Sequence, residues 1–439
     1  MALGGGAFIA QNKALPGTYV NFVSLARMGS AFSERGTAAF PLELDWGVQE
    51  EIFTVTNEEF VKHSLKIFGY DYGDEKCRAL RELFRNTQTL YGYRLGMGAD
   101  KASCAFGTAK FGGVRGNDLT VVITEAADEF RVRTFLGDTV VDSQVVASAE
   151  QLTDNDFVVW NDEAVLAVTA GVPFSGGNNA AVNVSSYQKF LDKIEAYAVN
   201  AIGVCSEDER VNSMFAAFTK NLRDNVGMKL QCVVYGCGND SQAYDHEGVV
   251  VVNNAVVSQE ETVPESALVY WVTGAIAGTQ VNRSTLNKVY DGEYTVACDY
   301  TQRELEEAIA GGLFTLHRVG DTVRVLADIN ALITVSDTKG DVFKDNQTIR
   351  VIDQIAGDVA ALFNEKYLGS VPNDEAGRIS LWADIVKHHE ELQRVRAIEA
   401  FSDDDVEVLP GEDKRSVIVN DKVTVVNAMA QVYMTCVIA

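Results

Sequence analysis

The chain has 439 residues, 47% of them hydrophobic, and a net charge of −25 from 37 basic and 62 acidic residues. At roughly 100–200 residues per domain, this length implies about two to four domains with enough apolar content for real cores. So acidic a chain repels phosphate backbones, and nucleic-acid binding is not expected of it.

Residues 1–20 read as an arm outside any core. Gly4-Gly5-Gly6 is flexible, Ala7 to Ala10 is a short apolar run, and Leu15-Pro16-Gly17 is a turn. A first strand is expected at 19–23. Short strands at 41–46, 51–56, 65–68 and 91–95 then alternate with a capped helix at 57–62 and a helix at 75–85. Between Gly96 and Asn183 the helical period disappears. Strands are expected at 108–111, 119–124, 130–136, 139–146, 157–160 and 164–170, with glycine-bearing turns such as Gly137-Asp138 between them. This predicts an all-β module inserted into an α/β region.

The helix–strand rhythm then resumes. Helices are expected at 187–197, 206–225, 268–278 and 302–310, and strands at 201–205, 229–235, 249–252, 289–296, 314–319 and 322–326. This order argues for a largely parallel sheet.

After Asn346-Gln347-Thr348, which offer capping side chains, Ile349, Ile352, Ile355, Val359, Leu362 and Phe363 recur at helical spacing, with Gly369 as the stop. A second helix runs from about Gly377, with Ile379, Trp382, Ile385, Val386, Leu392, Val395 and Ile398 on its apolar side. Its polar side carries Lys387, His388, Arg394 and Arg396, which is either a solvated face or a docking face for an acidic partner. Residues 402–413 read as an acidic loop, followed by strands at 416–426 and 431–439. In the last strand Val432, Met434, Cys436 and Ile438 alternate with Gln431, Tyr433, Thr435 and Val437. Left bare, its edge is an aggregation hazard, so either its own subunit or another copy must cover it.

The fold class expected is α/β and α+β multidomain. It comprises an N-terminal arm (1–20), an α/β core (21–95 and 184–340), the β-rich insertion (96–183), a C-terminal α+β domain (341–426) and a C-terminal arm strand (427–439).

No chemistry stands out. The sequence has no Gly-x-Gly-x-x-Gly after a strand, no Walker motif, no Gly-x-Ser-x-Gly and no His-Glu-x-x-His. His388 and His389 are adjacent on a helix, so their directions diverge by about a quarter turn and a shared metal is not expected. His63, His246 and His317 read as isolated. Cys77, Cys104, Cys205, Cys232, Cys237, Cys298 and Cys436 are scattered and odd in number, which suits free thiols in a reducing compartment. The start of the chain lacks the pattern of a signal peptide, and no run approaches the ~18 apolar residues of a membrane span. A soluble protein made in a cytoplasm is expected, with no catalytic residue, cofactor or metal.

Several stretches together carry a resemblance. They are Leu15-Pro16-Gly17, Pro41-Leu42-Glu43-Leu44-Asp45-Trp46-Gly47, Lys66-Ile67-Phe68-Gly69-Tyr70-Asp71-Tyr72, residues 268–274, 287–293, 346–353 and 377–382, and Val432-Tyr433-Met434-Thr435. In this order the chain resembles the tail sheath proteins of contractile-tailed bacteriophages. The likeness is to the short sheath subunits of PBSX-like defective prophages and of clostridial phages or R-type tail bacteriocins. The resemblance implies hexameric rings stacked around a tail tube and linked by terminal arms that add strands to neighbouring sheets. It places inter-subunit strands at Phe8 and Ile9 and at Val432, Tyr433, Met434, Thr435, Cys436, Val437 and Ile438. Lys387, His388, Arg394 and Arg396 become candidates for facing the tube, and Gly4, Gly5, Gly6 and Asn427 for hinges. The implied partners are further copies of the chain, the tail tube protein, and baseplate and tail terminator proteins, with no nucleic acid or membrane contact. The implied location is the tail of a virion or bacteriocin particle assembled in the host cytoplasm. Contraction from a metastable extended state would drive the tube through the target envelope, with no nucleotide required. The competing readings are another phage assembly protein, such as a tail tube or capsid component, and a soluble α/β enzyme.

Overall fold

The computed structural model describes residues 33–96, 98–236, 241–258 and 263–438. The expected N-terminal arm and first strand, with Gly4, Gly5, Gly6, Phe8 and Ile9, lie outside the described residues, as does Cys237. Two compact units divide the described chain, 35–357 with 425–438 and 358–424 with 33–34. The division between the two units falls within a helix, between Gly357 and Asp358.

The larger unit begins with β1 (Thr37–Leu42), β2 (Ile52–Thr56), α1 (Asn57–Phe68), α2 (Arg78–Phe84) and β3 (Thr89–Arg94). Thr56 and Glu59 form a reciprocal capping box that starts α1, and Gly69, left-handed at φ 78°, ends it. The strand expected at 65–68 is the last turn of this helix. Phe60, Ser64 and Phe68, four residues apart, bury one face of it.

The inserted module holds β4 (Ser103–Cys104), β5 (Gly107–Ala109), β6 (Leu119–Ala126), β7 (Glu129–Leu136), β8 (Thr139–Val146), β9 (Val158–Trp160) and β10 (Thr169–Pro173). They make a four-stranded antiparallel sheet, β10-β6-β7-β8, and a three-stranded one, β4-β5-β9. The strand expected at 164–170 is displaced to β10. Gly137 (φ 59°) makes the tight β7–β8 turn. Leu119, Val121, Ile123, Val132 and Leu136 share one core with Trp46, which comes from the stretch after β1. The expected strand at 41–46 stops at Leu42 so that Trp46 can enter this core, edge-on to Phe111 at 5.3 Å. Arg94, 1% exposed, donates to the carbonyls of Leu44, Gly47 and Gly112 and seals the junction.

The chain continues through α3 (Val184–Ile194), β11 (Ala201–Gly203), α4 (Glu209–Asn221), β12 (Gln231–Tyr235), β13 (Val249–Val252) and β14 (Val256–Val257). Next come α5 (Leu268–Gly278), β15 (Thr295–Val296), α6 (Gln302–Ala310), β16 (Leu313–Phe314), β17 (Leu316–Val319) and β18 (Thr322–Val325). Seven strands form one sheet in the order β16-β13-β12-β11-β1-β3-β2, parallel except for β2 against β3. Helices cover both faces, with Trp271 and Ile276 of α5 in one apolar layer and Phe190 of α3 and Phe215 of α4 in the other. The four valines of β13 are accordingly all buried, as a doubly covered strand requires. Only the end of the strand expected at 289–296 forms, as β15. Asp291 and Gly292 interrupt it, and Asp291 instead accepts the Trp271 indole N–H at 2.8 Å.

The C-terminal elements are α7 (Asn346–Leu362), which spans the boundary between units, then α8 (Glu375–Arg394), β19 (Ile398–Glu399), β20 (Val406–Pro410) and β21 (Val417–Asp421). Asp345 caps α7, its Oδ1 accepting the Gln347 and Thr348 amides at 2.7 and 3.2 Å. The acidic stretch at 402–413, expected to be a loop, contains β20. Val406 lies in the core of α8, where Leu381 and Ile385 are buried, and its carbonyl accepts the Trp382 indole N–H at 2.9 Å.

Candidate assembly surfaces

In the larger unit, the first turn of α7 holds the root of the C-terminal segment. Gln347 donates to the Val426 carbonyl at 3.0 Å and accepts the Ala428 amide at 2.9 Å. Thr348 and Asn427 exchange side-chain hydrogen bonds at 3.3 and 3.1 Å. Asn427, a hinge candidate, is thus bonded through its side chain to a buried threonine.

Beyond this clamp, residues 429–438 form no strand, and the pairing expected at 431–439 does not occur within the described chain. Val432, Tyr433, Met434, Val437 and Ile438 are between 80% and 95% exposed, and Thr435 and Cys436 are exposed as well. Covering such side chains is worth roughly 1.5–3 kcal/mol each. Among the described residues, nothing beyond the root covers this apolar segment.

In the smaller unit, β20 and β21 form a two-stranded antiparallel sheet in which Val408 faces Val419. Neither outer edge is paired among the described residues. Leu409, Ile418 and Val419 are exposed large apolar side chains on it. Two strands alone are marginal in water, so this sheet has room for more.

The basic cluster expected on α8 is only partly a surface. Lys387 and Arg394 are exposed, Arg394 being paired with Glu391 at 2.7 Å. Arg396 lies past the end of the helix, with φ 64°. His388 is 4% exposed and bonded to Asp358 at 3.0 Å, so it does not belong to the polar face. Its carboxylate partner, thirty residues earlier, makes burial of the ring favourable. The rings of His388 and His389 also lean together across their quarter turn, with their Nδ1 atoms 3.4 Å apart. Each Nε2 is taken by a different carboxylate, Asp358 or Asp421, so the two rings do not form a joint ligand set.

His246, expected to be isolated, has company. Its Nε2 lies 3.2 Å from Asp224 and 3.6 Å from Glu247. This is the one His/Asp/Glu cluster with metal-ligand spacing among the described residues. Its hydrogen bonds do not suit a cation. Nδ1 accepts the Gly248 amide at 2.9 Å, so the ring proton sits on Nε2, where a metal would need a lone pair. The Lys339 ammonium already lies 2.8 Å from Glu247. Burial holds the imidazole below its ordinary value of 6.5, against the pull of Glu247 and Asp224. Burial would raise the Glu247 carboxyl, but the Lys339 hydrogen bond, the His246 and Lys339 charges and a backbone hydrogen bond together lower it.

A cleft of about 1350 Å³ opens beyond the carboxyl ends of β1 and β11, lined among others by Glu43, Tyr187, Cys205 and Tyr270. The strand order reverses between β1 and β11, where open α/β sheets bind ligands. Burial pushes the Cys205 thiol up to about 12, which keeps it protonated at neutral pH.

Three family models match the chain: the phage tail sheath C-terminal domain over 338–439, the phage tail sheath protein central domain over 180–331, and the tail sheath protein Gp18 domain III N-terminal region over 35–95. Phage-like element PBSX protein XkdK of Bacillus subtilis is 30% identical, over 98% of this chain and 99% of its own. The crystal structure of a sheath tail protein from Desulfitobacterium hafniense superposes with a TM-score of 0.80 at 32% identity, covering 95% of this chain and 99% of that one. The contracted helical sheath of the anti-feeding prophage shares the fold, with a TM-score of 0.57 at 13% identity over 97% and 99% of the two chains. The chain belongs to the phage tail sheath protein family, and its role is that of a structural tail sheath subunit.

Proposed function

We propose that this subunit polymerises as stacked hexameric rings around a tail tube, its C-terminal segment adding a strand to the sheet of a neighbouring copy. The observation that carries the reading is the run 429–438, apolar, exposed and, among the described residues, held only at its root. Unpaired edges on β20 and β21 offer an acceptor of matching chemistry, since strand addition supplies backbone bonds and apolar contacts at once. A head-to-tail contact of this kind does not close on itself and builds a helix. Contraction would proceed by near-rigid movement of subunits about their linking strands, with interface burial as the driving force and no catalytic residue or cofactor. The anti-feeding prophage sheath, whose contracted state is known, shares the fold. The partners are then further copies, the tube, the baseplate and the tail terminator, and the location is the tail of a phage or bacteriocin particle.

Negative-stain electron microscopy of the full chain beside versions lacking 1–14, 432–439 or both tests the reading. Hollow tubes from the intact chain and folded, dispersed subunits from the doubly trimmed one are expected. Dispersed subunits in every sample would remove the proposed linkage.

A further inference from the structure

The smaller unit contains a line of polar contacts, buried at its centre and exposed at its ends, that runs from Ser33 to the end of β21. Ser33, where the described chain starts, donates both its amide (3.0 Å) and its hydroxyl (2.6 Å) to Asp358 Oδ1. The other oxygen of Asp358 meets His388 Nε2 at 3.0 Å. The His388 ring contacts His389 edge to face, with centroids 5.2 Å apart. His389 sets Nδ1 2.9 Å from the Ile385 carbonyl and Nε2 2.9 Å from Asp421 Oδ2, at the end of β21.

The partners assign the hydrogens. A carbonyl and a carboxylate only accept, so both His389 nitrogens carry protons, Nε2–H donating to Asp421 and Nδ1–H shared between the Ile385 carbonyl and His388 Nδ1. That nitrogen is therefore the bare one, and His388 holds its own proton on Nε2, donated to Asp358. Every contact along the line is thus donor to acceptor. Exposures of 4% for His388 and 0% for His389 leave no water to replace the link between the two rings. A buried network of this kind favours being complete over being partly made.

We infer that the His388–His389 pair couples Ser33 to the end of β21 within the smaller unit. Release of Ser33 from Asp358 loosens Asp421 and the end of β21, and release of Asp421 loosens Ser33. Ser33 directly follows the first 32 residues of the chain, and Asp421 lies seven residues before Ala428. The coupling is internal to one subunit and holds whether or not the terminal segments pair with neighbours, so the two proposals fail separately.

The test is a double-mutant cycle of Ser33→Ala and Asp421→Asn in the full-length chain, read by amide hydrogen exchange of peptides covering residue 33 and β21. Each substitution is expected to speed exchange at the far end by about threefold or more, with the pair non-additive. In a His388→Leu background, which neither donates to Asp358 nor accepts from His389, the two effects should become independent. Effects confined to the mutated end, or an additive cycle, would overturn the inference and leave two separate His–Asp pairs. Ser33 and Asp421 are both exposed residues, so the first comparison does not depend on a folded His388 variant.

Discussion

Arg396 sits where a glycine would ordinarily end a helix. The Ala397 amide reaches back to the Leu392 carbonyl and the Arg396 amide to Gln393, both at 2.9 Å, so α8 closes in a Schellman motif with arginine in the left-handed position. A side chain there costs roughly 1–2 kcal/mol, and Arg396→Gly should raise stability by about 1 kcal/mol, seen as a higher urea midpoint at unchanged slope. His246 makes a second prediction. Its folded-state value is depressed, so its contribution is present above the ordinary 6.5 and is lost as pH falls through the folded value, where a proton on Nδ1 must break the Gly248 bond. His246→Asn should lower the melting temperature at about pH 7 and flatten its decline toward about pH 5. Neither residue was legible from the sequence. Arginine is no stop signal, and the partners of His246 and His388 come from distant positions, so reading by residue type put His388 on a polar face it does not occupy.

At the level of elements, strong periodicity was readable and weak boundaries were not. Helix α6 falls on its expected bounds, and β6, β7 and β8 fall on or within two residues of theirs, because capping residues and glycine turns delimit them. The helix α1 was cut short because Leu65 to Phe68 is apolar enough to pass for a strand, and only the burial of Phe60, Ser64 and Phe68 on one face decides the matter. Strand β20 was hidden among aspartates that cap rather than loop, Ser402 and Asp405 forming a capping box just ahead of it. The insertion was legible as a module, but its dependence on the core was not. Trp46, 0% exposed, closes the module from outside its own stretch of sequence. Trp46→Ala should therefore cost about 3–5 kcal/mol, with the loss of hydrogen-exchange protection greatest in β6 and β7.

For the whole molecule, charge and termini govern how copies meet. A subunit of net charge −25 repels its like, and screening shortens that repulsion to about 10 Å at 0.1 M salt. Raising salt from about 0.05 to about 0.3 M should lengthen polymers, as followed by sedimentation. Removing 432–439 should leave the subunit's melting temperature nearly unchanged, since the side chains of 432–438 bury almost nothing, while assembly is lost. The alternation of the last residues was visible in the sequence, whereas the absence of a partner among the described residues needed the structure. The clamp on residues 426–428 also decides how force would enter the polymer proposed above. A pull along a paired strand stretches all its ladder bonds together, as in a lap joint, while a pull across it opens them one at a time like a zipper. A strand rooted firmly in α7 transmits lengthwise tension straight into its own subunit. Neighbouring bodies can then turn about the root through large angles without the splice between them parting.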